Sequence, residues 1–143
     1  MAEPPTSERS SIFISHATPE DNHFVRWLGA KLTAMGYEVW ADVMRLKGGS
    51  DWSRILEDAL RKKACKMLLV CTANGVEKPG VRAEIEMATI VARALGDDSF
   101  IIPLRLENYE APFRIATAQY IDFKRSWATG FLELSELLQE IKV

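Results

Sequence analysis

The sequence predicts an α/β fold, a five-stranded parallel sheet with helices on both faces. Three observations predict it. Short apolar runs alternate with amphipathic stretches of helical period from Ser11 to the C-terminus, the rhythm of right-handed strand–helix–strand crossovers. Lys66-Met67-Leu68-Leu69-Val70-Cys71-Thr72 is apolar nearly throughout, as a strand covered on both faces must be. The length of 143 residues suits one domain with a single full core.

Each element has its own justification. Met1 to Ser10 is rich in Pro, Ser and Glu and reads as a flexible leader, with the folded domain spanning 11–143. Ser11-Ile12-Phe13-Ile14-Ser15 is the first strand and empties into Ser15-His16-Ala17-Thr18-Pro19-Glu20-Asp21. The first helix is expected from about Pro19 to Met35, on the period of Phe24, Trp27, Leu28, Lys31, Leu32 and Met35. Pro19 suits a first turn, and Glu20 and Asp21 would complement the helix dipole there. Gly36 stops it. Tyr37-Glu38-Val39-Trp40-Ala41 alternates polar and apolar, so it reads as a half-exposed edge strand. Asp42 to Ser50 is a loop. Asp51 or Ser50 would cap a second helix facing inward through Ile55, Leu56, Ala59 and Leu60.

The buried third strand is followed by a loop with turn signals at Asn74-Gly75 and Pro79-Gly80. A third helix spans Val81 to Leu95 and ends at Gly96. Phe100 to Leu106 is the fourth strand, where Pro103 predicts a strand end or a bulge. Glu107 to Gln119 is irregular, with room for one helical turn. Tyr120 to Phe123 is a short fifth strand. The last helix starts near Ser126, with Phe131, Leu134, Leu138 and Ile141 on one stripe. Five strands on this length give a flavodoxin-like three-layer sandwich, order 2-1-3-4-5, whose ligand crevice opens where strands one and three end.

Composition narrows the function. A net charge of −2 supplies no basic stripe, so direct nucleic-acid binding by this domain is not expected. No apolar run approaches the ~18 residues of a membrane span, and the leader lacks the apolar core of a signal peptide. A cytoplasmic protein is expected. Cys65 and Cys71 fit no zinc or redox spacing and read as small packed thiols.

The switch point gathers Ser15-His16-Ala17, the Asp42–Ser50 loop, and Thr72 to Gly80 with the start of the third helix. On that helix Val81, Ile85, Ala88, Ala92 and Leu95 share the buried face. Glu84 falls about 50° from its centre, on the rim, while Glu86 faces solvent in reach of Arg82 at i, i+4. A rim carboxylate is either an amphipathic boundary or an acid whose pKa a cleft can tune. Other chemistries of this fold fit poorly. The ends of strands one and three carry Ser15-His16 and Cys71-Thr72 rather than the acids of a phosphorylated receiver. The first loop lacks the glycine of a flavin phosphate site, and no Gly-x-Gly-x-x-Gly occurs. Ser15 and His16, adjacent on a strand, point to opposite faces and make no nucleophile pair.

Phe13-Ile14-Ser15-His16, Asp21, Gly36-Tyr37-Glu38-Val39-Trp40-Ala41-Asp42, Leu46 with Gly48-Gly49 and Trp52, Leu69-Val70-Cys71-Thr72 and Arg82-Ala83-Glu84-Ile85 together resemble bacterial TIR domains, in order and over nearly the whole chain. Ser15 to Asp21, Gly80-Val81, Phe100 to Leu104 and Ile121 to Ala128 resemble more narrowly the TIR portion of TIR-APAZ proteins. Those pair with short prokaryotic Argonautes in antiphage defence through a C-terminal APAZ region. No such region lies within these 143 residues, which implies an excised domain.

The resemblance implies an NAD+ glycohydrolase that is switched on by assembly with other TIR domains and needs no metal or cofactor, NAD+ being the substrate. It places Glu84 as the catalytic acid. Ser15, His16, Asp42, Arg45 and Trp52 are implied to line the substrate cleft, with Leu46, Gly48 and Gly49 in the assembly loop. Four of the cleft residues have a plain alternative: a packed His16, a loop-capping Asp42, a solvated Arg45, a buried Trp52. Two features depart from the family. Pro79-Gly80-Val81 stands where many members carry an aromatic pair, and Gly48-Gly49 replaces Pro-Gly. A non-catalytic TIR adaptor and an NAD+-cyclising TIR are the competing expectations.

Overall fold

A computed structural model describes residues 9–44, 51–116 and 118–143. Of the expected features, Arg45, Leu46, Gly48 and Gly49, and the leader up to residue 8, lie outside the described residues. The chain runs β1 (Ser11–Ser15), α1 (Asn22–Ala34), β2 (Val39–Ala41), α2 (Trp52–Asp58), β3 (Ala64–Cys71), α3 (Pro79–Leu95), β4 (Ile101–Arg105), β5 (Ile121–Asp122) and α4 (Trp127–Glu140). The strands form one parallel sheet in the order β2-β1-β3-β4-β5, as expected.

Alternation along the strands splits the core in two. Ile12, Ile14, Leu68, Val70, Ile102 and Leu104 face α1 and α4, where Phe24, Leu28, Leu32, Leu134 and Leu138 cover them. Phe13, Met67, Leu69 and Cys71 face α2 and α3, against Trp52, Leu56, Leu60, Val81, Ile85 and Ala88. Strands buried on both faces lose water from every side chain, at about 25 cal/mol per Å² of apolar surface, which is why the central strands carry almost no polar residue before their ends. The exception is Lys66, whose Nζ donates to Asp97 Oδ2 at 2.8 Å and to the Ser99 carbonyl at 3.0 Å.

Several local expectations are corrected. Helix α1 begins at Asn22, and its first turn contains no acidic residue. Asp21 is the N-cap residue but makes no side-chain capping bond; its carboxylate turns toward Thr72 on β3's exit instead, and Glu20 pairs with Lys78. Met35 falls beyond the helix and is exposed, while Lys31 lays its ammonium over the Trp27 ring. On α2 it is Trp52, not Ile55, that turns inward: Trp52 is 3% exposed and Ile55 38%. A widened turn, Ala59–Lys63, then carries Ala59 and Leu60 into the core and lets β3 start at Ala64.

Pro103 sits inside β4 with no bulge, opposite Leu69. The Phe100 carbonyl accepts from Met67 and the Arg105 carbonyl from Phe123, so the alternation points Pro103's nitrogen away from β3. β5 pairs only with Leu104 and Arg105, so no ladder bond is lost there. Arg82 pairs with Glu77 rather than Glu86, which pairs with Arg114. Ser126 caps α4, its Oγ accepting from the Thr129 N–H at 3.2 Å. Phe131 is only half-buried and Ile141 lies past the helix end, exposed. Helix α3 closes as expected at Gly96, whose φ of 65° suits glycine. Among the described residues no helix is long and apolar enough to cross a membrane.

Candidate active site

β1 leaves the sheet between β2 and β3, so its end is the middle of the crevice. Pleating puts Ser15 on the same side as Phe13, under α3. Ser15 is fully buried, and its Oγ donates to Glu84 Oε1 at 2.5 Å. Glu84 reaches this point because α3 buries Val81, Ile85 and Ala88, which leaves position 84 at the rim over the end of β1. The rim position and the strand end expected from periodicity are thus joined by one hydrogen bond, 69 residues apart in sequence.

Burial pushes the Glu84 carboxyl up to about 7; the Ser15 hydroxyl opposes this and the charge of Asp42 adds to it. No cation pairs with Glu84 among the described residues. Asp42 begins the short turn Asp42–Met44 after β2 and accepts from Thr18 Oγ1 at 3.2 Å, which ties the two loops of the crevice together. His16 is buried, with Nε2 3.0 Å from Asn22 Oδ1. Desolvation lowers its pKa from the ordinary value, which favours the neutral ring.

Behind this wall a second polar contact holds the loop. Thr72 Oγ1 donates to Asp21 Oδ2 at 3.5 Å and accepts from the Gly75 N–H at 3.0 Å. Burial, then the nearby Glu107, raises the Asp21 carboxyl. Gly75 is required by space, since a Cβ there would overlap the Thr72 hydroxyl and stand 3.3 Å from Asp21 Oδ2.

The crevice is a cleft of about 500 Å³ bounded by β1's exit, Asp42, α2 and the first turns of α3. His16, Asp42 and Glu84 line it together. Ser15 supports it from beneath. Trp52 does not reach it: the indole packs in the core 6.3 Å from Trp40, so the expected stacking surface is a core side chain. Gly80 borders the cleft, and a Cβ there would meet nothing within 4 Å. Sequence reasoning missed Lys78 on the cleft lip, where it donates to Glu20 at 2.7 Å; the partners are 58 residues apart and no period links them. Among the described residues no three acidic, His or Cys side chains converge to hold a metal ion.

Comparisons with known proteins bear on the fold and the family. The chain matches 39% of residues over 136 positions with the uncharacterized protein y4cD of Sinorhizobium fredii, covering 95% of this chain and 21% of that protein. It is 28% identical over 130 residues to the NAD(+) hydrolase TcpC of Escherichia coli, covering 91% and 41%. It is 29% identical over 101 residues to the 2' cyclic ADP-D-ribose synthase AbTIR of Acinetobacter baumannii, covering 71% and 36%. The chain therefore spans well under half the length of these relatives. The crystal structure of the TIR domain of the Toll-related receptor TRR-2 of Hydra magnipapillata superposes with a TM-score of 0.72 at 17% identity, over 94% of this chain and 99% of that one. The profile described as TIR domain matches residues 12–135, and with the sheet order and crevice above, the chain belongs to the TIR domain family.

Proposed function

We propose that this chain is an NADase-type TIR domain that breaks the nicotinamide–ribose bond of NAD+ at the cleft beside Glu84. One observation carries the reading: a half-buried carboxylate at the sheet's switch point, held by a hydroxyl and paired with no cation among the described residues. An uncompensated acid costs stability, and a docking surface has no use for it. The similarity to relatives named as an NAD(+) hydrolase and a cyclic ADP-D-ribose synthase supports the same chemistry.

The reaction suits a lone carboxylate. Nicotinamide leaves as a neutral ring, taking the electron pair of the C1′–N bond, and requires no general acid. The ribose gains oxocarbenium character, which the Glu84 anion stabilises. Water then adds to C1′ and releases a proton, giving ADP-ribose. Asp42, across the cleft, adds negative potential, and neutral His16 forms a wall without competing positive charge. Active assembly is part of the proposal: the loop around Arg45, Leu46, Gly48 and Gly49 of one copy completes the cleft of the next. The likeness to TIR-APAZ proteins extends it to a defence effector gathered by a short Argonaute.

Enforced clustering on an oligomeric tag, with NAD+ added and products resolved by mass spectrometry, tests the reading. Nicotinamide with ADP-ribose is expected. Nicotinamide with a cyclic product would replace hydrolysis by the cyclisation that the similarity to AbTIR favours. Intact NAD+ under clustering would leave a docking module.

A further inference from the structure

We infer that Ser15 is a positioning residue, its buried hydroxyl pinning Glu84 Oε1 to the end of β1 so that Oε2 remains the oxygen presented to the ribose. This rests on the proposed role of Glu84 and goes beyond it, because the family resemblance implies a Ser15 that lines the substrate cleft. The geometry points elsewhere. Ser15 has no exposed surface, so substrate in the cleft meets Glu84 and not the hydroxyl behind it. Its backbone is held in the sheet, since Ser15 pairs with Leu69 on β3 and the residue before it, Ile14, pairs with Ala41 on β2. Glu84, by contrast, projects from a helix on three rotatable bonds, each free to scatter the carboxylate. A 2.5 Å hydrogen bond to a rigid strand removes that freedom where the catalytic geometry needs it removed.

The titratable groups that line the cleft with Glu84 are His16 at β1's exit, Asp42 after β2, Glu57 on α2 and Lys78 ahead of α3, and of these Asp42 is the charge that acts on the carboxyl. Ser15 is the group that opposes burial and Asp42 in holding the carboxyl down. Its removal therefore changes both orientation and titration, and the two can be read separately.

The test compares the wild-type chain with Ser15→Ala in two ways. In the unclustered chain, ¹³C-carboxyl NMR follows the titration of Glu84. Ser15→Ala is expected to move its midpoint upward by about one unit, the scale of a hydrogen bond to a charged group. Ser15→Cys, similar in size and a weaker donor, should fall between. An unmoved midpoint in both variants overturns the inference. In the clustered chain with NAD+, Ser15→Ala should lower kcat about tenfold while KM changes by less than about twofold. A raised KM with kcat unchanged overturns it too, since Ser15 would then be holding substrate. The NMR arm needs no turnover. If Glu84→Gln keeps full activity, the proposed function fails and the shifted midpoint still decides what Ser15 does to Glu84.

Discussion

Lys66 and Glu84, charged side chains at opposite ends of the sheet, are treated in opposite ways. At the N-terminal end of β3, Lys66 is 7% exposed, yet its ammonium meets the Asp97 carboxylate and the Ser99 carbonyl. At the C-terminal end, Glu84 meets one hydroxyl, and the charge that acts on it is another acid, Asp42. Neutralising a buried charge with a partner is what a structure does to keep its fold. Leaving one without a countercharge spends stability, and a binding cleft is where that has a use. A larger hollow, about 1070 Å³, lies beside the start of β4 and β5 between the end of α3 and α4, and none of Ser15, His16, Asp42 and Glu84 lines it.

Substitutions can break this contrast at either end. The largest effect is expected from Glu84→Gln, which keeps the shape and removes the charge. Nicotinamide release by the clustered chain should fall at least about a hundredfold, with circular dichroism unchanged. Lys66→Met should do the reverse. Asp97, about a third exposed, is left without its cation, at a cost of about 1 kcal/mol in urea unfolding, and turnover per folded molecule should stay the same.

The pH dependence of stability sharpens the contrast. Glu84 titrates near 7 in the fold and near the ordinary 4.5 when unfolded. Between those values the folded chain keeps a proton that the unfolded chain has released. Stability therefore falls as pH rises through this window and levels off above it. Relative to Glu84→Gln, the wild type should lose about 2 kcal/mol from pH 4.5 to 7, measured by urea unfolding at each pH. The smallest effect belongs to Glu86→Gln, one residue face away on α3. Its pairing with Arg114 is exposed, so stability should change by under about 0.5 kcal/mol and turnover not at all.

Period and composition made the architecture legible. The apolar run at Lys66–Thr72 marked a central strand, the alternation at Tyr37–Ala41 an edge, and Gly96 a helix end. The rim angle of Glu84 was readable for the same reason, because a helical wheel is local physics. Contacts between distant segments were not. Whether Asp21 caps α1 or turns to Thr72 depends on a hydroxyl 51 residues away. Trp52 and Ile55 sit on neighbouring stripes of a seven-residue helix, too short for its period to fix which one faces the sheet. Pro103 looked disruptive because sequence does not tell which side of a strand lacks a neighbour. Ser15's role was hidden likewise: strand alternation gave its face, and only the packing of α3 above it gave its partner.

The most direct measurement is the pH profile of nicotinamide release by the clustered chain, wild type beside Glu84→Gln. With an ionised Glu84 as the group that stabilises the sugar cation, wild-type turnover rises with pH to a plateau above about 7 and the variant stays near background throughout. A flat wild-type profile, or release by Glu84→Gln at the wild-type rate, would contradict the account.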